Sequence, residues 1–203
     1  MAESLTNKHL VFIFILILIA GVILGSASLL YPFGRDQGIY AYAGQLLLQG
    51  KIDYKYVFDL KPPGVHFVFA LGQLIFGKSM MGMRMFDILW QSVTGFVLFI
   101  IIYKLAKSKI AGLLSSVLYI FLYYRLDYWH TLQADGFLNL PFALSILFVL
   151  LSDKEKYISL LLAAGVLFGV TILFKYTLII FLPLLVIIFI SRPGLQNRIK
   201  KVF

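Results

Sequence analysis

Residues 10–30 read LVFIFILILIAGVILGSASLL, 21 positions without a charged side chain. At ~1.5 Å of rise per residue, such a helix reaches about 31 Å, enough to cross the hydrocarbon core of a bilayer. The run exceeds the roughly 7–15-residue apolar core of a cleaved signal peptide, and no clear Ala-x-Ala site follows it. It reads as a first membrane span. The rest of the chain agrees: 61% of its 203 residues are hydrophobic and the mean hydropathy is +0.94, well above the roughly 45–50% apolar content of globular domains. Cysteine is absent, which excludes a disulfide framework, a thiolate metal site and a cysteine nucleophile.

Beyond that span, residues 35–64, RDQGIYAYAGQLLLQGKIDYKYVFDLKPPG, form the one long break in an otherwise nearly continuous apolar sequence. Of 27 charged residues (18 basic, 9 acidic), seven fall here: Arg35, Asp36, Lys51, Asp53, Lys55, Asp59 and Lys61. Asp36 can cap a helix whose apolar positions Ile39, Tyr42, Ala43 and Leu46 follow the ~3.6-residue period, with Gln37, Gln45 and Gln49 on its other side. Gly50 ends that helix, which should lie along the membrane surface. Pro62 and Pro63 suit the first turn of another helix, 64–76, at or dipping into the interface.

Further apolar runs predict spans near 82–103, 110–124, 136–151, 157–174 and 177–190, with a first outer loop over 31–81. The expected fold is all-α: one polytopic transmembrane bundle of about six spans over 1–203, with amphipathic interfacial helices in that loop. This layout puts Lys8, Lys104, Lys107, Lys109, Lys154, Lys156, Arg192, Arg198, Lys200 and Lys201 on one side, with only Glu3, Asp153 and Glu155 as acids. By the positive-inside rule that side is cytoplasmic, as are both termini. The net charge of +9 is thus a topology signal, and no nucleic-acid partner is expected.

A carboxylate just outside the membrane can take a proton from a hydroxyl nucleophile, so Asp36 is a candidate catalytic base as well as a helix cap. Lys61, before Pro62 and Pro63, puts a cation where free backbone N–H groups also favour an anion, a lipid phosphate above all; it could equally snorkel to bulk headgroups. Asp135 can orient an acceptor or cap its helix. Lys175, between Phe174 and Tyr176, is an ionisable group inside more than thirty apolar residues and so a functional candidate, although a short outer hairpin also accounts for it. Arg35 and Asp59, in the same outer loop, join the candidate substrate-binding set. His66 and His130 with Asp59 or Asp135 lack the short-range ligand spacing of a metal site.

The 35–64 run resembles the first outer loop of membrane glycosyltransferases that include protein O-mannosyltransferases and the aminoarabinose transferases of lipid A. The resemblance implies a multi-span GT-C enzyme that takes a sugar from a polyprenyl-phosphate donor and passes it, with inversion, to a lipid, glycan or protein acceptor. Asp36 matches the loop aspartate of that family, and Lys61 of "KPP" the lysine at the donor phosphate. Asp135 in "LQADGFLNLPFAL" resembles the acidic position of the second outer loop, and Lys175 in "GVTILFKYTLIIFLP" the lysine between the fifth and sixth spans. Gln37 departs from an acidic pair common in the family. Leu60 stands where the aminoarabinose transferases carry a metal-associated glutamate, so no cofactor is assigned and a divalent metal keeps only the support of resemblance.

The expectation is an integral protein of a prokaryotic plasma membrane, the amino-terminal portion or a short relative of such an enzyme, with its first large loop outside. A non-catalytic membrane subunit and a lipid or solute transporter component are the alternatives. Transporters place substrate groups near the midplane on broken helices, whereas the charges here gather at one face.

Overall fold

A computed structural model describes residues 6–152 and 157–190. The turn at 153–156 and the basic tail from Arg192, both used above for topology, lie outside the described residues. Helix α1 (Asn7–Gly25) starts at Thr6, whose hydroxyl accepts from the His9 N–H at 3.4 Å while the Thr6 N–H donates to His9 Nδ1 at 3.4 Å. A 3-10 segment, Ser26–Leu30, extends it. Its buried residues Ile13, Ile17, Gly21 and Gly25 recur every fourth position, so one stripe faces the bundle and the rest faces outward. Glycines in that stripe let the helices approach closely: a Cβ on Gly21 would lie 2.1 Å from Ser92 Oγ.

Helices α2 (Arg35–Leu48) and α3 (Gly64–Phe76) pack against each other ahead of α4 (Met80–Ala106). The long α4, capped by Ser79, which accepts from Gly82 N–H at 2.9 Å, is the central pillar and touches α1, α3, α5 (Lys109–Tyr124) and α7 (Asn139–Leu151). A short helix α6 (Ala134–Phe137) leads into α7. Helix α8 (Tyr157–Ile172), a 3-10 segment (Tyr176–Phe181) and α9 (Leu182–Ile190) complete the described chain. Large side chains on the bundle's outside are apolar, among them Phe12, Ile23, Leu118, Leu162 and Ile180. Lipid is the solvent that suits such a surface.

The all-α bundle is as expected, and two details differ. Asp36 does not cap α2. The cap is Gly34, and its N–H donates to the side-chain oxygen of Gln37. The buried face of α2 is Gln37, Tyr40, Ala43 and Gly44, while Tyr42 is exposed. The reason is close packing: a Cβ on Gly44 would sit 2.7 Å from Ala70 N, so the glycine edge, rather than the bulkier Ile39–Tyr42–Leu46 edge, meets α3. Three stretches, Asn7–Leu30, Met80–Ala106 and Ala134–Leu151, are long and apolar enough to cross a bilayer. The apolar helices Gly64–Phe76, Lys109–Tyr124, Ile158–Ile172 and Tyr176–Ile188 are shorter.

Candidate active site at the loop end of the bundle

The segment joining α5 to α6, residues 125–133, has no regular structure, so its backbone groups must find partners elsewhere. Two buried side chains supply them. Gln37, fully buried, donates through Nε2 to Tyr128 O at 2.6 Å and Thr131 O at 2.8 Å. Arg84, also fully buried, donates to Thr131 Oγ1 at 2.7 Å, Pro32 O at 3.0 Å and Tyr128 O at 3.3 Å. One turn along α4, the buried Asp87 accepts from Tyr123 Oη at 3.0 Å and Gln91 Nε2 at 2.9 Å. Tyr123 Oη in turn accepts from the Leu132 N–H at 2.9 Å. Leu132 is held at φ 59°, a left-handed conformation costly for a branched side chain. At the exposed tip, the hydrogen bond from His130 holds the Asp127 carboxyl below the usual carboxylate range.

The first loop is fastened at the other side of the same end. Gly64, just after Lys61-Pro62-Pro63, donates its N–H to Leu173 O at 2.8 Å, and a Cβ there would lie 2.7 Å from that oxygen. The first N–H of α3 is therefore taken by protein, which corrects the expectation that it is free for an anion. The contact also brings the Lys61 turn against the end of α8, where Lys175 Nζ donates to Asp135 Oδ1 at 2.7 Å across the surface. Asp135 and Lys175, forty residues apart, thus form one pair.

Tyr40 lies at the centre. It packs edge-on against Phe69 at 5.5 Å and donates to Gln133 Oε1 at 3.2 Å. Burial pushes its hydroxyl well above the ordinary tyrosine range, and the charges of Asp36, Asp59 and Asp135 push it further. One phenol therefore feels three of the carboxylates singled out in the sequence. Asp36 sits in the first turn of α2, a favourable place for a negative charge, and accepts no hydrogen bond among the described residues. The Lys61 ammonium has no partner among the described residues either, while Arg35 is exposed at the start of α2. Asp59 instead turns inward, to His66 and the Lys61 N–H. Among the described residues no group of three His, Asp or Glu side chains could hold a metal ion.

A family model described as dolichyl-phosphate-mannose-protein mannosyltransferase matches residues 60–203. The chain belongs to that family. Comparison with curated proteins gives no significant match, and neither does comparison with solved structures. Membership in this mannosyltransferase family makes the chain a member of a glycosyltransferase family and, with its apolar helices, an integral membrane protein. The matched region holds Lys61, Asp135 and Lys175; Arg35, Asp36 and Asp59 precede it.

Within this mannosyltransferase-family fold, sequence reasoning missed the clamp of Gln37, Arg84 and Asp87. The signal was present for two of them: ionisable residues three apart in an apolar run are functional candidates by default. For Gln37 there was none, because its partners lie more than ninety residues away.

Proposed function

We propose that the chain moves a sugar from a polyprenyl-phosphate donor to a hydroxyl acceptor at the outer face of a prokaryotic plasma membrane. Family membership supports the donor class. The observation that carries the reading is the position of Tyr40: it shares α2 with Asp36, packs against the His66 ring that holds Asp59, and donates to Gln133, two residues before Asp135, while the Lys61 ammonium, without a partner among the described residues, and Lys175 lie at the same end. Separate segments of the chain contribute these groups, which suits a site that meets two substrates.

In the reaction, the acceptor oxygen attacks the anomeric carbon as the bond from that carbon to the phosphate oxygen breaks. The phosphate leaves with the bonding electrons, and the acceptor proton passes to Asp36. Direct displacement inverts the anomeric centre. Lys61 stabilises the charge that develops on the departing phosphate, which in a partly dry site is the larger contribution to rate. Asp135, paired with Lys175, orients the acceptor, and Arg35, exposed at the start of α2, adds positive charge. Lipid, glycan and protein hydroxyls remain the candidate acceptors.

The test is retention and transfer of label with purified protein and a panel of radiolabelled polyprenyl-phosphate sugars. Wild type should retain a labelled donor, Lys61→Ala should lose it, and Lys61→Arg should lie between, because arginine keeps the charge but changes the contact. Equal retention by wild type and Lys61→Ala would overturn the phosphate role.

A further inference from the structure

The 49–63 stretch between α2 and α3 has no regular secondary structure, yet it carries the lysine on which the donor site depends. Its order comes from an inward contact. His66, in the first turn of α3, is fully buried. Its Nδ1 lies 3.0 and 2.9 Å from the two oxygens of Asp53, and its Nε2 lies 3.0 Å from Asp59 Oδ2. Both carboxylates are nearly buried, at 12% and 11% exposure. Each ring nitrogen thus meets an acidic side chain, and the imidazole bridges two points of the loop six residues apart. The carboxylates meet opposite edges of the ring and do not converge on a shared point, so this is a strap across a histidine and not a set of metal ligands.

The strap ends on Lys61. Asp59 Oδ1 accepts the Lys61 N–H at 3.2 Å while its other oxygen holds His66. Tyr54, beside Asp53, donates its hydroxyl to Lys61 O at 2.5 Å, and its own N–H donates to Asp53 Oδ1 at 3.0 Å. Its ring packs 5.5 Å from the His66 ring, and Tyr40 of α2 packs 6.1 Å from it. Tyr54 adopts φ 59°, a conformation that persists only where surrounding contacts over-determine it. Both backbone polar groups of Lys61 are thus held by residues that themselves hold His66, and its ammonium is left without a partner among the described residues.

We propose that His66 is a positioning residue: clamped between Asp53 and Asp59, it locks the 51–61 loop so that Lys61 is presented to the donor phosphate. The role in donor binding rests on the function proposed above; the lock itself does not. A single cysteine replacing the exposed Phe58 carries a nitroxide in a chain that has no other cysteine, and its spectrum reads loop mobility. His66→Gln offers its N–H donors from a single nitrogen and so cannot reach carboxylates that sit at opposite edges of the imidazole. It should convert an immobilised label into a mobile one and weaken binding of a polyprenyl phosphate, with the protein in lipid nanodiscs, by about tenfold, the scale of one coupled contact. In a Lys61→Ala background the same substitution should cost no further affinity. Asp53→Asn, which spares the histidine, should loosen the label in the same direction and guards against a misfolded His66 variant. An equally immobile label in wild type and both variants would overturn the lock. Losses that add fully in the double variant would overturn the action through Lys61. Wild type that binds no polyprenyl phosphate would sink the proposed function and the donor role with it, while the label spectra would still report the lock.

Discussion

At Asp36 the structure separates two roles that one residue could have combined. Because Gly34 is the cap and its N–H donates to the Gln37 side chain, the Asp36 carboxylate carries no capping bond, and its structural worth reduces to its place near a helix N-terminus, about 0.3–1 kcal/mol. Asp36→Asn should therefore lower stability by no more than about 1 kcal/mol while nearly abolishing sugar transfer, because an amide cannot take the acceptor's proton. Paired thermal melts and transfer rates check this; transfer at close to the wild-type rate would leave Asp36 without a catalytic part. Tyr54 makes a prediction of opposite charge sign. Burial first, then the charges of Asp53 and Asp59, push its hydroxyl from the ordinary 10.0 up to about 12. A folded-state value above the unfolded one means the hydroxyl favours the folded loop fully below pH 10, and that contribution is lost as pH rises toward 12. The difference in tyrosinate absorbance between wild type and Tyr54→Phe should appear near pH 12; a difference centred at 10 would mean that Tyr54 is not held inside the loop.

Among the elements, the start of α3 meets the residue that follows α8 through a backbone hydrogen bond, Gly64 N–H to Leu173 O, at a separation that suits a residue without a side chain. A Cβ at Gly64 would meet Leu173 O at 2.7 Å and Leu173 C at 2.8 Å, and both are backbone atoms that cannot rotate aside. Gly64→Ala should push the Lys61 turn away from the end of α8, break the Gly64–Leu173 hydrogen bond, and cost about 1–3 kcal/mol. Because Lys175 follows Leu173 by two residues, the same substitution should also disturb its pairing with Asp135. A lower melting temperature with weakened donor retention is the expected result. An alanine variant as stable as wild type would show that the contact is dispensable.

For the whole molecule, the contacts among α2, the 49–63 loop, the 125–133 segment and the 173–175 turn require those parts to share one end of the bundle. If that end is outside, single cysteines at positions 53 and 130 should label in sealed cells, whereas those at 107 and 154 should label only after the membrane is opened. Labelling of 53 and 107 from one side would contradict the six-span arrangement.

Sequence alone was enough for the class of molecule, because a bilayer demands long uncharged helices and places basic clusters by side; both are properties of composition along the chain. It also singled out Lys61, Asp135 and Lys175 as candidates, since charge in apolar surroundings stands out one residue at a time. Which groups meet was not legible. The Asp135–Lys175 pair spans forty residues, Gln37 reaches across more than ninety to Thr131, and the buried face of α2 follows its glycine rather than its larger apolar side chains. Those outcomes depend on how closely two backbones can approach and on where unpaired loop carbonyls lie. Only the packed tertiary structure decides them, because hydrogen bonding and steric fit act between positions that the chain's own periodicity does not relate.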